Sequence, residues 1–173
     1  MKIKIKVKEL VKGCFPTISD KGDWIDLKSA EDIVINPGHA HTLKKDGDNK
    51  VRKIVTPMYY VPLGVAIELP KGYEAIIASR SSCPNKIGVF IPNGIGIIDN
   101  CYNGDGDEWM YIASPLRETS IRKFDRVCQF RIQLSQKATL WQKIKWLFSS
   151  GVELVKVDSL GNENRNGFGS TGK

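Results

Sequence analysis

The sequence predicts an all-β chain forming one barrel-like domain, on three observations. Short apolar or alternating runs recur along its 173 residues, clusters of Gly, Pro, Asn and Asp separate them, and only one stretch carries helical periodicity. From Met1 to Leu10, Lys2, Lys4, Lys6 and Lys8 alternate with Ile3, Ile5 and Val7. That period of two reads as a strand whose lysine face is solvated or lies on an edge, where charge deters aggregation. Further strands are expected at Ile33 to Ile35, Val61 to Leu69, Glu74 to Ala78, Val89 to Ile91, Ile95 to Ile98, Met110 to Ala113, Val127 to Leu134 and Val152 to Val157. Asn36-Pro37-Gly38, Lys45-Asp46-Gly47-Asp48, Pro70-Lys71-Gly72 and Asn103-Gly104-Asp105-Gly106 supply the turns between them.

The helix is expected at Ala138 to Phe148. Leu140, Trp141, Ile144, Leu147 and Phe148 fall on one stripe, and Gly151 follows to end it. Such a stripe should pack on the barrel or at a subunit interface, with Trp146 off it. The glycine- and asparagine-rich tail Gly161 to Lys173 is expected to be mobile.

Length and composition narrow the function. A chain of 173 residues can bury a real core but leaves little room for a second enzymatic domain. Cys14, Cys83, Cys101 and Cys128 lie far apart, so they suggest buried free thiols in a reducing cytosol, not a zinc knuckle or disulfide framework. No run reaches the roughly 18 apolar residues of a membrane helix, and the chain is expected to be soluble and cytoplasmic. The net charge of +7 suits nucleic acid, an anionic surface or a polyphosphate ligand alike, and does not choose among them.

Motifs narrow it further. Gly167 to Lys173 opens like a Walker phosphate loop, but that loop needs a further Ser or Thr and a helix facing the phosphates, so a P-loop nucleotidase is not expected. His39 and His41 would share one side of a strand without the further ligands a metal needs. No His stands near a nucleophilic Ser or Cys in the manner of a hydrolase triad. Asp99 is more promising. It closes the apolar run Asn93-Gly94-Ile95-Gly96-Ile97-Ile98, three residues before Tyr102, and a strand end holds a carboxylate firmly enough to position one water.

Five segments in order resemble the motifs of the trimeric dUTPases. They are Asp23-Trp24-Ile25-Asp26-Leu27, Ser79-Arg80-Ser81-Ser82, Asn93 to Gly104, Asp125-Arg126-Val127-Cys128-Gln129 and Asn166-Gly167-Phe168-Gly169-Ser170-Thr171-Gly172. Lys21 to Leu27 and Asp105 to Trp109 look most like the branch carried by Gram-positive bacteria and their phages. The resemblance implies a jelly-roll or β-clip barrel over residues 1–160, inserts at about 45–59 and 138–149, and a tail, 161–173, that closes the active site. It implies a homotrimer in which one subunit's tail covers a site made by others, with dUTP and Mg2+ as substrate and cofactor and no nucleic-acid or membrane partner.

By the same resemblance, Asp99 would be the general base and Asp26 would reach the metal through water. Gln129 would join Asp26 in holding metal-bound water or the nearby phosphate network, Arg80, Ser81, Arg165, Ser170 and Thr171 would meet phosphate oxygens with Ser82 contributing, and Gly169 would also bind substrate. Asn93 and the backbone at Gly96 and Ile98 would read uracil, Tyr102 would lie under the deoxyribose, and Phe168 would stack on the base. Arg165 stands two residues before Gly167-Phe168-Gly169, where the family more often has its arginine four before. Two alternatives are a dCTP deaminase, alone or bifunctional, for which Glu108 is the nearest glutamate, and a regulatory binding protein on the same scaffold.

Overall fold

The computed structural model describes residues 1–20, 22–46, 49–165 and 167, with the side chains of 39–46 and 49–54 left out. In chain order the strands are β1 (Ile3–Glu9), β2 (Thr17–Ile18), β3 (Ile25–Lys28), β4 (Ile33–Ile35), β5 (His39–Asp46), β6 (Asn49–Val55) and β7 (Tyr59–Glu68). They continue as β8 (Tyr73–Ser79), β9 (Val89–Phe90), β10 (Gly96–Asp99), β11 (Glu108–Pro115), β12 (Thr119–Ile121), β13 (Arg126–Leu134) and β14 (Val152–Val157). One π turn, Cys83–Ile87, and one helix, α1 (Leu140–Leu147), complete the described elements.

Two five-stranded sheets carry the fold, ordered β14-β1-β7-β11-β9 and β10-β8-β13-β3-β2. Their inner faces share one apolar core, in which Trp109 of β11 meets Phe130 of β13 edge to face with ring centroids 5.1 Å apart. Alternation puts Ile3, Ile5 and Val7 of β1 into that core and turns the lysines outward. The strand is internal, however: it pairs with β7 on one side and, in parallel, with β14 on the other, so the expected edge lies on β14. Two lysines of the outer face find acids, Lys6 at 3.1 Å from Glu68 and Lys8 at 3.3 Å from Asp105.

Cys14, Cys83 and Cys128 are buried free thiols, pushed up in pKa first of all by burial, whereas Cys101 is exposed, contrary to expectation. The segment expected as the first insert, about 45–59, includes part of a hairpin that begins before it. Strand β5 begins at His39 and pairs with β6 as a separate two-stranded sheet. Gly47 and Asp48 of its anticipated turn lie outside the described residues.

The helix is one to two residues shorter at each end than its periodicity suggests, because Thr139 caps it. Gln142 N–H donates to the Thr139 hydroxyl while the Gln142 side chain accepts from Thr139 N–H, closing a capping box. Of the two places expected for the apolar stripe, it does not take the barrel of its own chain; the side of α1 that meets the barrel is the one bearing Trp146. Trp146 packs on Tyr73 with centroids 5.6 Å apart, and Gln142 donates to the Lys71 carbonyl at 2.8 Å. Leu140, Trp141, Leu147 and Phe148 remain exposed. The barrel surface under α1 offers an aromatic ring and a turn carbonyl, which one tryptophan and one amide satisfy better than leucines do. Among the described residues no helix is long and apolar enough to cross a membrane.

Candidate active site

Antiparallel pairing of β10 with β8 aligns Asp99 with Glu74 and leaves the Asp99 side chain at the end of the strand, about three-fifths exposed. The chain enters through Gly94, whose φ of 77° suits glycine and lets its N–H donate to the Ile91 carbonyl at 3.3 Å. It leaves through a turn in which Tyr102 N–H donates to the Asp99 carbonyl at 3.1 Å. Beside this hairpin lies a cavity of about 270 Å³. Ile77, Ile91, Met110 and Ile112 give it an apolar wall, and Asn93, Asp99, Tyr102 and Arg165 give it polar groups. Gly96, Ile98 and Gly167 line it too. An apolar pocket with a few convergent polar groups is the form small-ligand sites take.

The Tyr102 hydroxyl donates to the Glu108 carbonyl at 2.9 Å, which fixes the ring as part of the cavity wall. Burial first, then the nearby Asp107 and Glu108 carboxylates, push the phenol up in pKa, so it stays neutral. Glu108 itself accepts the Gly64 N–H at 2.8 Å and does not line the cavity.

The tail comes back onto the same hairpin. Ser159 Oγ and Leu160 N–H donate to Asp105, each at 2.7 Å, and Gly106 N–H donates to Asn164 Oδ1 at 2.7 Å. Arg165 then lies with Nη1 3.6 Å from Asp99 Oδ2. As far as Arg165 and Gly167 the tail of this one chain lies against the hairpin. Asn166, Phe168, Gly169, Ser170 and Thr171 fall outside the described residues.

A second group of expected site residues gathers elsewhere. Asp26, only 5% exposed, sits on β3 opposite Gln129 of β13. Its two oxygens meet Arg80 Nε at 2.9 Å and Arg126 Nη1 at 3.0 Å. Arg80 follows the end of β8, and Ser81 and Ser82 lead into the π turn. Arg80, Ser81, Ser82 and Gln129 do not line the Asp99 cavity. Arg126 was not anticipated as a site residue. Its place depends on an irregularity in the β13–β3 register between Arg126 and Cys128, which one strand's sequence does not reveal.

A nucleoside-sized pocket bearing a strand-end carboxylate, with a second, arginine-rich cluster on the same β scaffold, defines the class as a nucleotide-handling barrel. The dUTPase family model matches residues 51–143, and a relative from Bacillus subtilis (strain 168), the SPbeta prophage-derived deoxyuridine 5'-triphosphate nucleotidohydrolase YosS, is 44% identical over 153 residues, covering 88% of this chain and 86% of its own. The deoxyuridine 5'-triphosphate nucleotidohydrolase of Zymomonas mobilis is 28% identical over 176 residues and 99% of both chains. Solved structures share the fold. A Streptococcus mutans dUTPase has a TM-score of 0.57 at 21% identity, covering 73% of this chain and 89% of that one. A point mutant of the dUTPase from Staphylococcus aureus phage phi11, described with a structural Mg(II) ion, has 0.58 at 19%, covering 79% and 94%. This chain belongs to the dUTPase family, the dUTP diphosphatases.

Proposed function

We propose that the chain converts dUTP to dUMP and pyrophosphate by in-line attack of an Asp99-activated water on the α-phosphorus, assisted by Mg2+. The observation that carries this reading is the Asp99 carboxylate, solvent-accessible at the rim of an apolar cavity whose other polar groups are Asn93, Tyr102 and Arg165. Asn93, with the backbone at Gly96 and Ile98, reads the uracil edge. Tyr102 lies against the deoxyribose and leaves no room for a 2'-hydroxyl. Phe168 stacks on the base, and Gly169, Ser170 and Thr171 close over the phosphates with Arg165.

Among the described residues no cluster of three or more His, Cys, Asp or Glu could cage a metal ion, and both Asp26 oxygens already face guanidinium groups. That donor set suits a Mg2+ ion held mainly by phosphate oxygens and water, with Asp26 contributing through water. When bound, the ion neutralises charge that develops on the departing pyrophosphate.

Strand length supports a site shared between copies of the chain, as in a homotrimer. Asp99 pairs with Glu74 near the start of β8, and Arg80 follows its end six residues later, which is roughly 20 Å along an extended strand. One triphosphate cannot span both, so Arg80, Ser81, Ser82 and Gln129 serve the hairpin of a neighbouring copy. The test is Asp99→Asn, which keeps shape and removes the base. Turnover should fall by about 10²–10⁴-fold with dUTP affinity retained. Undiminished pyrophosphate release, or ammonia release from dCTP by the wild type, would overturn the reading.

A further inference from the structure

Asp107 stands between the hairpin and the tail and has no part in the chemistry just described. The residue is 1% exposed. Oδ2 accepts Gly104 N–H at 2.9 Å, and the same carboxylate accepts Arg165 N–H at 3.0 Å from Oδ1 and 2.9 Å from Oδ2. A charged acceptor this dry strengthens its bonds to N–H donors and fixes their positions tightly. One buried carboxylate therefore ties the loop after Asp99 to the backbone of the residue whose guanidinium reaches Asp99, across 58 positions of sequence.

The neighbouring contacts fit the same purpose. Asn164 lies so close over Gly104 and Gly106 that a Cβ at Gly104 would fall 2.4 Å from Asn164 Oδ1 and 2.6 Å from its Cα. Two glycines in the loop thus make room for the tail, and Asp105 holds Ser159 and Leu160 just before it. The loop Asn103 to Asp107 forms a cradle matched to residues 159–165.

We infer that Asp107 is a positioning residue that seats the root of the tail on the hairpin, setting the register in which Arg165 reaches Asp99 and the triphosphate. The inference rests on the proposed dUTP hydrolysis, because it assigns Asp107 a role in closing that site. It concerns how the tail is held, whatever residues beyond Gly167 do.

The experiment is a double-mutant cycle between Asp107→Ala and deletion of residues 161–173, read as kcat/KM for dUTP. Hydrogen exchange of the 160–167 backbone in the full-length proteins supplies a readout independent of turnover. In the full chain, Asp107→Ala should lower kcat/KM by about 10- to 100-fold and speed exchange at Arg165, while Asp107→Asn, which keeps an acceptor, should lose less. In the tail-deleted chain Asp107→Ala should cost less than about twofold more, because its route of action is already gone. Losses that multiply in the double variant would make Asp107 a purely structural loop residue and overturn the inference. So would unchanged exchange at Arg165. A wild-type chain that fails to hydrolyse dUTP would instead sink the functional reading, and the exchange result would still decide whether Asp107 seats the tail.

Discussion

Asp26→Ala is the substitution that most directly tests the second half of the site. Asp26 is buried against Arg80 Nε at 2.9 Å and Arg126 Nη1 at 3.0 Å. Breaking a fully buried ion pair costs about 3–5 kcal/mol, but neither arginine is fully buried. The Arg126 side chain is 53% exposed and its contact falls in the surface range of about 0.2–1 kcal/mol. Arg80, at 26%, keeps more of the charge-assisted value of about 1.5–3 kcal/mol. The sum is about 2–4 kcal/mol of stability, or roughly 5–15 °C in Tm for a chain of this size. Urea and thermal melts at one fixed protein concentration measure it, because oligomers melt in a concentration-dependent way. Freed from Asp26, Arg80 should also lose its fixed direction, lowering kcat/KM for dUTP by about tenfold or more. A variant that melts within about 1 °C of wild type with unchanged kcat/KM would refute the assignment of Asp26 as the anchor of Arg80.

Three more outcomes follow from other contacts. The Lys156 ammonium above all, with the Gly13 and Phe15 N–H groups, holds the Glu9 carboxyl below its usual pKa, so its contribution is present above the unfolded value and fades as pH falls through the folded one. Glu9→Gln should therefore lower the urea midpoint at neutral pH, and the gap from wild type should close as pH drops below about 4. Trp146→Ala, which removes the ring on Tyr73, should cost about 1–3 kcal/mol in denaturant melts, whereas Trp141→Ala, at a 78% exposed position, should stay within about 0.5 kcal/mol; equal effects would reverse the docked face of α1. Finally, co-refolding Asp99→Asn chains with chains truncated after Leu160 should restore no activity, since Arg165 reaches the Asp99 of its own chain. Recovered turnover would mean that the tail crosses to a neighbour.

Much of the barrel was legible because burial on one face writes a period of two into a strand, as Ile3, Ile5 and Val7 show. The elements that escaped are too short to show a period, as is the four-residue β3, or carry no regular one. Strands β2 and β12 are only two and three residues long, and β5 reads His-Ala-His-Thr-Leu-Lys-Lys-Asp with no regular apolar face. Helical periodicity identified α1 but not its docked side, since that choice belonged to Tyr73 and Lys71 on the barrel. At the site, Asp99 and Tyr102 were legible as a local motif. Arg126 and Asp107 were not, because each gains its meaning from a residue 100 or 58 positions away.

On the proposed mechanism, the same distances explain why one chain would hold two partial sites. A β8 strand of seven residues separates the Asp99 end of its sheet from the Arg80 end, and strands do not bend enough to bring those ends together. The scaffold that fixes each group firmly thus forbids their meeting within one copy. Asp26 keeps Arg80 and Arg126 gathered at one end, while Asp107 keeps the tail root against Asp99 at the other. Each end is preorganised by a buried carboxylate that bonds other protein groups, whereas Asp99, 3.6 Å from Arg165 but exposed, stays within reach of water. On the proposed mechanism, the docking of a second copy and the closing of the tail would bring the Asp99 base, the Arg80 and Arg126 cluster and the nucleoside pocket together.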